Sequence, residues 1–304
     1  MSMMTEERKK YLLDGAVDLH VHTAPSISPR ELDVAEMARD AMKYGLKGFV
    51  AKDHYFCSTG DCQLINKHIC GGKEICFGLM AMNNSMGGFN LKAVSTACEM
   101  GTKIISLPTV SAREHQEYNV RPGVVPFKAT GASPVKETPI SFTDENGNVV
   151  PALVEILEFL AQYHPSVILA MGHGSAAEID AVIKKAKELG LKKLYVNHPI
   201  FIVDADIPTM KRWAEMGCFL ELNACNLYRS VTRPPTVGPD VVKQIVAEAG
   251  VEHCVISTDM GQKHNPPPVD VLAEFMQWFI DTIGLTEEQV FRMAKTNPAA
   301  LLGI

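Results

Sequence analysis

Eight short, almost wholly apolar runs alternate with longer segments of helical pattern along the 304 residues, and this alternation restricts the fold more than any other feature. The runs are Ala16–His22, Gly48–His54, Glu74–Met82, Lys103–Thr109, Val167–Gly172, Lys193–His198, Cys218–Asn223 and Cys254–Asp259. Continuous apolar strands suit a parallel sheet covered on both faces. Between them lie helix signals. Ser28-Pro29-Arg30-Glu31 offers an N-cap, a proline at the first helical position and a capping-box glutamate, with the helix running to Gly45. Ser175-Ala176-Ala177-Glu178 opens a second that stops at Gly190, Pro239 a third that stops near Gly250, and Thr286-Glu287-Glu288-Gln289 the last. The pattern predicts an α/β fold, a closed (β/α)8 barrel of TIM type, as one domain over residues 1–304. The alternative, an open doubly wound sheet, carries a glycine-rich phosphate turn after its first strand. Here that strand ends in His20-Val21-His22-Thr23, and the chain has no Walker loop and no GxGxxG turn.

One connection breaks the rhythm. The long segment between Thr109 and Val167 contains Arg121-Pro122-Gly123, Pro126, Gly131, Pro134 and Pro139, with a hairpin pattern at Ile140–Val150 turning on Asp144-Glu145-Asn146-Gly147. We read 110–150 as an insertion after the fourth strand, placed like a lid on the face where barrel active sites form. The net charge of −6 argues against nucleic-acid binding, which needs a basic face. No apolar run is long enough for a signal peptide or a membrane span. Eight cysteines without an export signal predict reduced thiols in the cytoplasm. Four of them crowd at Cys57, Cys62, Cys70 and Cys76, but not at zinc-ribbon spacing, so buried or loop thiols are expected there.

The chemistry lies where polar residues interrupt the apolar strands. His20 and His22 close the first strand and, by alternation, share a face, which offers half of a metal site. His173 ends the fifth strand between Gly172 and Gly174, His198 the sixth, and Asp259 the eighth. In a barrel all five lie on one rim, and packing alone gives apolar strands little reason to end repeatedly in His or Asp.

As an ordered set, His20-Val21-His22, His173, His198 and Asp259 resemble the amidohydrolase superfamily of metal-dependent hydrolases, over Val17 to Ile304. The tail Thr296-Asn297-Pro298-Ala299-Ala300-Leu301-Leu302-Gly303 is similar to the closing helix common among those proteins. The resemblance implies one or two divalent ions, Zn2+ first, with Mn2+ or Fe2+ also suited to these donors. It implies that His20, His22 and Asp259 hold one ion, and that His173 and His198 hold a second or divide between metal and substrate. Asp259 would be the catalytic residue, orienting the metal-activated water and passing its proton to the leaving group.

The sequence departs from the pattern at the fourth strand. Leu107-Pro108-Thr109 stands where many two-metal members carry a bridging carboxylated lysine or a glutamate. Lys52, at the end of the second strand, has three readings: a carboxylated bridge, an ammonium for an anionic substrate, or a buried salt bridge. His54 is either a ligand or substrate contact, or locally hydrogen-bonded. Arg113 and His115 would clamp a carboxylate or phosphate, or lie on a solvated loop. Glu221 would support the ligands or pair with a neighbour. The expected activity is hydrolysis of a small carbonyl or phosphoryl substrate. The alternatives are non-oxidative decarboxylation on the same barrel and a non-catalytic metal-binding scaffold. A small-molecule substrate and a homo-oligomer are the expected partners.

Overall fold

A computed structural model describes residues 4–124, 135–231 and 233–304; Pro126, Gly131 and Pro134 lie outside the described residues. All eight expected strands form: β1 Val17–His22, β2 Gly48–Lys52, β3 Cys76–Ala81, β4 Ile104–Ser106, β5 Ile168–Ala170, β6 Leu194–Val196, β7 Phe219–Asn223 and β8 Cys254–Ser257. They pair in parallel, in sequence order. Asp259 N–H donates to His20 O and His22 N–H to Met260 O, both at 2.8 Å, so the chain just past β8 is tied back to β1. The result is a TIM-type barrel with helices outside, as the alternation predicts. β4, β5 and β6 are each only three residues long, because the expected strand ends turn into the loops that carry the polar residues.

Two apolar clusters follow from strand alternation. Phe49, Ala51, Ile105, Leu169, Val196, Leu220 and Ile256 face the helices. Val17, Leu19, Val50, Phe77, Leu79, Ile104, Ile168, Tyr195 and Val255 fill the interior, together with Ala299, Leu301 and Leu302 of the closing helix. Strict alternation would then turn His20 and His22 outward. A bulge resolves the conflict: the β1–β2 register shifts between Asp18 and Val21, which puts one extra residue on β1. The bulge lets Leu19 and His20 both reach the interior, as bulges do where a side chain must be re-aimed.

The helix expected from Ser28 begins later, at Val34, and runs to Tyr44. Its cap is Asp33, whose carboxylate accepts from Glu36 N–H while Glu36 returns a bond to Asp33 N–H. This capping box outcompetes the one at Ser28, since it places the first turn beside an apolar stripe of Val34, Met37, Ala38 and Ala41. Residues 28–31 are released to cross the mouth of the barrel, where Arg30 bridges Gln262 and Glu31 N–H donates to Gly261 O. The helices Ala176–Glu188, Pro239–Ala249 and Glu287–Phe291 start as expected. No described helix is long and apolar enough to cross a membrane.

Gly261 makes the tight crossing at the mouth feasible. Its φ is 112°, and a Cβ there would stand 1.7 Å from His22 O. Gly261→Ala is expected to lower the unfolding free energy by about 3 kcal/mol, read by urea denaturation, through clash and backbone strain together.

Candidate metal centre

The expected rim residues converge. His20 and His22 come from β1, Lys52 from the end of β2, His54 from just beyond it, His173 from the loop after β5 and His198 from the loop after β6. Asp259 stands two residues past β8. All are buried. Five imidazoles form a closed ring, with successive centroid separations of 5.1 Å (His20–His22), 4.9 Å (His22–His54), 6.2 Å (His54–His173), 4.9 Å (His173–His198) and 6.0 Å (His198–His20). The donor atoms of His20, His22 and Asp259 lie within 4.8 Å of one another, the one group of His, Cys, Asp or Glu so gathered among the described residues. His198 and Asp259 have φ of 27° and 53°, rare for residues with a side chain, so the backbone is strained at two site positions.

Each imidazole is anchored through Nδ1. His20 Nδ1 lies 2.7 Å from Glu221 Oε1 and His22 Nδ1 3.1 Å from Lys52 O. His54 Nδ1 lies 2.8 Å from Thr109 Oγ1, His173 Nδ1 2.7 Å from His115 Nδ1, and His198 Nδ1 3.2 Å from Phe201 O. A carbonyl or a carboxylate only accepts, so Nδ1 of His20, His22 and His198 carries the proton. In a neutral ring the Nε2 lone pair is thereby left for an ion, with the ring orientation that second-shell acceptors give metal-ligating histidines.

The charge states agree. Burial, and then the Arg30 charge, lower the His22 pKa to about 3. Burial lowers His198 to about 4 and His115 to about 3, and sends His54 and His173 well below the usual value. These rings are neutral at pH 7. Burial pushes Asp259 and Glu221 upward, but the neighbouring imidazoles outweigh it, with His20 foremost, and both stay ionised. Asp18 also reaches β8, accepting from Thr258 Oγ1 at 2.6 Å; burial raises its pKa to about 6.

A conflict between acceptors results. His22 Nε2 stands 3.1 Å from Asp259 Oδ1, yet His22 is neutral and its one proton faces Lys52 O. His20 Nε2 stands 3.1 Å from the same oxygen without hydrogen-bonding to it. Lone pairs facing a carboxylate out of water are costly unless a cation lies between them. Ligands roughly 2.1 Å from a shared ion stand roughly 3.1–3.4 Å apart at near-tetrahedral angles. The residues therefore fit a divalent ion.

The remaining predicted residues are placed as follows. Lys52 Nζ is buried with no hydrogen-bond partner and no carboxylate within ion-pair distance among the described residues, so the salt-bridge reading of Lys52 does not hold. Arg113 starts the helix Arg113–Asn119, is half-exposed and pairs with Glu178 and Glu117 on the outer side. The solvated reading fits it, whereas His115 on the same helix is buried and stacks on His173. The insertion's described parts pack down firmly: Ile140 N–H donates to Ser111 O and Phe142 N–H to Glu178 Oε1. Asp144–Asn148 forms the expected tight turn. Gly172, at φ 60°, approaches the chain so closely that a Cβ would stand 2.4 Å from Pro108 O. The cysteines are all unpaired, and Cys62 and Cys76 have their thiols in contact.

Sequence reasoning missed three contributors. Arg30 was hidden in a false helix start. Asn226 donates with Asn223 to Asp259 Oδ2. Asn83 donates to His54 O and to Thr109 Oγ1, fixing the hydroxyl that holds His54.

A family sequence model described as "Family of unknown function (DUF6282)" matches residues 15–221. No curated protein matches the chain. Solved structures similar to it include an amidohydrolase from Pseudomonas aeruginosa, with TM-score 0.59, 13% identity and 97% of each chain covered. An organophosphorus hydrolase from Deinococcus radiodurans has TM-score 0.54 and 15% identity, over 95% of this chain and 92% of that one. An amidohydrolase 2 from Bifidobacterium longum subsp. infantis has TM-score 0.52 and 14% identity, over 95% and 98%. At these identities the likeness is one of fold, the TIM-type barrel these hydrolases share with this chain.

Proposed function

The chain belongs to the DUF6282 family, and for it we propose a metal-dependent hydrolase that holds one divalent ion on His20, His22 and Asp259 and acts on a small carbonyl or phosphoryl substrate. The observation that carries this reading is the buried convergence of His20 Nε2 and His22 Nε2 on one oxygen of Asp259, at 3.1 Å each, with both rings held from behind through Nδ1. Zn2+ is the first candidate, and Mn2+ or Fe2+ suit the same donors. A bound ion of this kind acidifies water and polarises the scissile bond.

The chain's own residues supply the rest. Glu221 holds His20 by Oε1 and His198 N–H by Oε2, so one carboxylate sets two rings. Asp259 is the ligand most open to the cavity, with its side chain 12% exposed, and its Oδ2 is held only by amides at 3.3–3.4 Å. It is placed to accept a proton from water and return it to the leaving group. His173 and His198, neutral and inward-facing, are assigned to the substrate. One gathered donor group argues for one ion, which leaves a carboxylated Lys52 without a second ion to bridge. The eight unpaired thiols suit a reducing, cytoplasmic setting.

Two experiments test this. Hydrolysis of lactone, amide and phosphoester panels in 18O-labelled water should place one label in the product; release of CO2 without label would instead indicate a decarboxylase. Glu221→Gln should weaken metal affinity by about 10–100-fold, measured by competition with a chromogenic chelator, since the amide holds His20 less firmly. Unchanged affinity would remove Glu221 from the account.

A further inference from the structure

Beside the metal centre lie two buried cations with unfilled donors: Arg30, whose one carboxylate neighbour is too far for a hydrogen bond, and Lys52, which has no ion-pair partner among the described residues. The Arg30 side chain is 4% exposed. Its Nε and Nη2 make no hydrogen bond among the described residues, and the nearest carboxylate oxygen, Asp53 Oδ2, is 3.8 Å from Nη2, beyond hydrogen-bond reach. Lys52 Nζ is likewise buried and without a partner. Arg30 crosses the mouth against Gln262, whose side chain donates to Asp259 O, and its charge acts on His22, Lys52 and His54. The acidic groups nearby leave these donors unfilled: Glu221 holds His20 and His198 N–H, Asp259 stands at the ion site, and Asp53 accepts from Tyr55 N–H while its other oxygen stays 3.8 Å from Arg30. Guanidinium and ammonium donors held from water without hydrogen-bond acceptors favour a further anion that fills them.

We propose that Arg30 and Lys52 form the receptor for a carboxylate carried by the substrate, beside the bond to be cleaved. The planar guanidinium offers a fork matched to a carboxylate, and the ammonium adds a point charge. The inference rests on the hydrolase reading for its place in a reaction, but not for the binding site itself. It deepens that reading by naming the substrate class: small carboxylated molecules rather than neutral esters or lactones.

Malonate is the probe, titrated calorimetrically into the full-length protein, both zinc-loaded and metal-stripped, with metal content measured in each sample. The expected result is binding that weakens at least tenfold in Arg30→Met at unchanged metal content. Arg30→Lys, which keeps the charge and loses the fork, should lie between the two and serves as the reading if Arg30→Met does not fold. Equal affinity in wild type and the Arg30 variants, or no malonate binding by a metal-loaded wild type, overturns the proposal. If the wild type holds no zinc, yet malonate binds it and Arg30→Lys weakens that binding, the receptor stands and the hydrolase reading fails.

Discussion

Asp259→Asn should abolish retention of a divalent ion and, in metal-free protein, make the fold more stable than wild type. Both effects come from one atom pair. In metal-free wild type, Asp259 Oδ1 stands 3.1 Å from both His20 Nε2 and His22 Nε2, and neutral His22, its proton on Nδ1, meets it with a lone pair. An asparagine of the same shape turns its oxygen to Asn223 and Asn226, which already donate to Oδ2, and offers N–H groups to the two imidazoles. Replacing buried repulsion with hydrogen bonds is worth about 1–3 kcal/mol, read as a higher urea midpoint. The same change removes the only anionic ligand. If a site of this kind binds an ion with about 10–16 kcal/mol shared among its ligands, losing one weakens affinity by a factor on the order of 10²–10⁴. His20→Ala should lose the ion similarly but destabilise the fold, because it leaves a cavity and strands the Glu221 carboxylate. A metal-free Asp259→Asn less stable than wild type would mean that a proton, not a vacancy for a cation, lies between these groups.

The second large effect is in acid. His22, His54, His115, His173 and His198 all titrate below the usual value of 6.5 in the folded chain, chiefly through burial. Unfolded chains take up these protons as pH falls through 6.5, whereas the native protein does not. Stability is therefore full above 6.5 and is lost as pH falls from 6.5 toward the folded values, about 3 for His22 and His115, about 4 for His198 and well below 6.5 for His54 and His173. Each histidine that stays neutral contributes a loss on the order of 1 kcal/mol between pH 7.5 and 5.5. Asp18 opposes this weakly, because its folded value is raised to about 6 and the native state gains its proton first. Urea unfolding of metal-free protein should thus lose several kcal/mol between those two pH values. A flat profile would contradict the neutral imidazole ring.

The barrel was legible because most strands are continuous apolar runs, which suit a sheet covered on both faces. The ligands were legible because His and Asp at apolar strand ends have no packing reason to be there. The orientation of His20 was not: simple alternation would put Leu19 inward and His20 outward, and only the one-residue bulge opposite β2 allows both. A bulge of this kind leaves no glycine or proline mark in Val17–His22. Arg30 was lost for another reason. Two capping boxes overlap at Ser28–Glu31 and Asp33–Glu36, and the apolar stripe beginning at Val34 decides for the second. Reading that stripe first would have left Arg30 in the loop over the mouth. Arg113 illustrates the converse, since a basic residue just after a strand can still turn outward to helix partners such as Glu178.

The central claim is that His20, His22 and Asp259 share one ion. An anomalous difference map from crystals of protein loaded with one equivalent of zinc, collected at the zinc edge, tests it most directly. The account predicts a single peak about 2.0–2.2 Å from His20 Nε2, His22 Nε2 and a carboxylate oxygen of Asp259. A peak at the Cys62–Cys76 thiols, or none among the three residues, would contradict it.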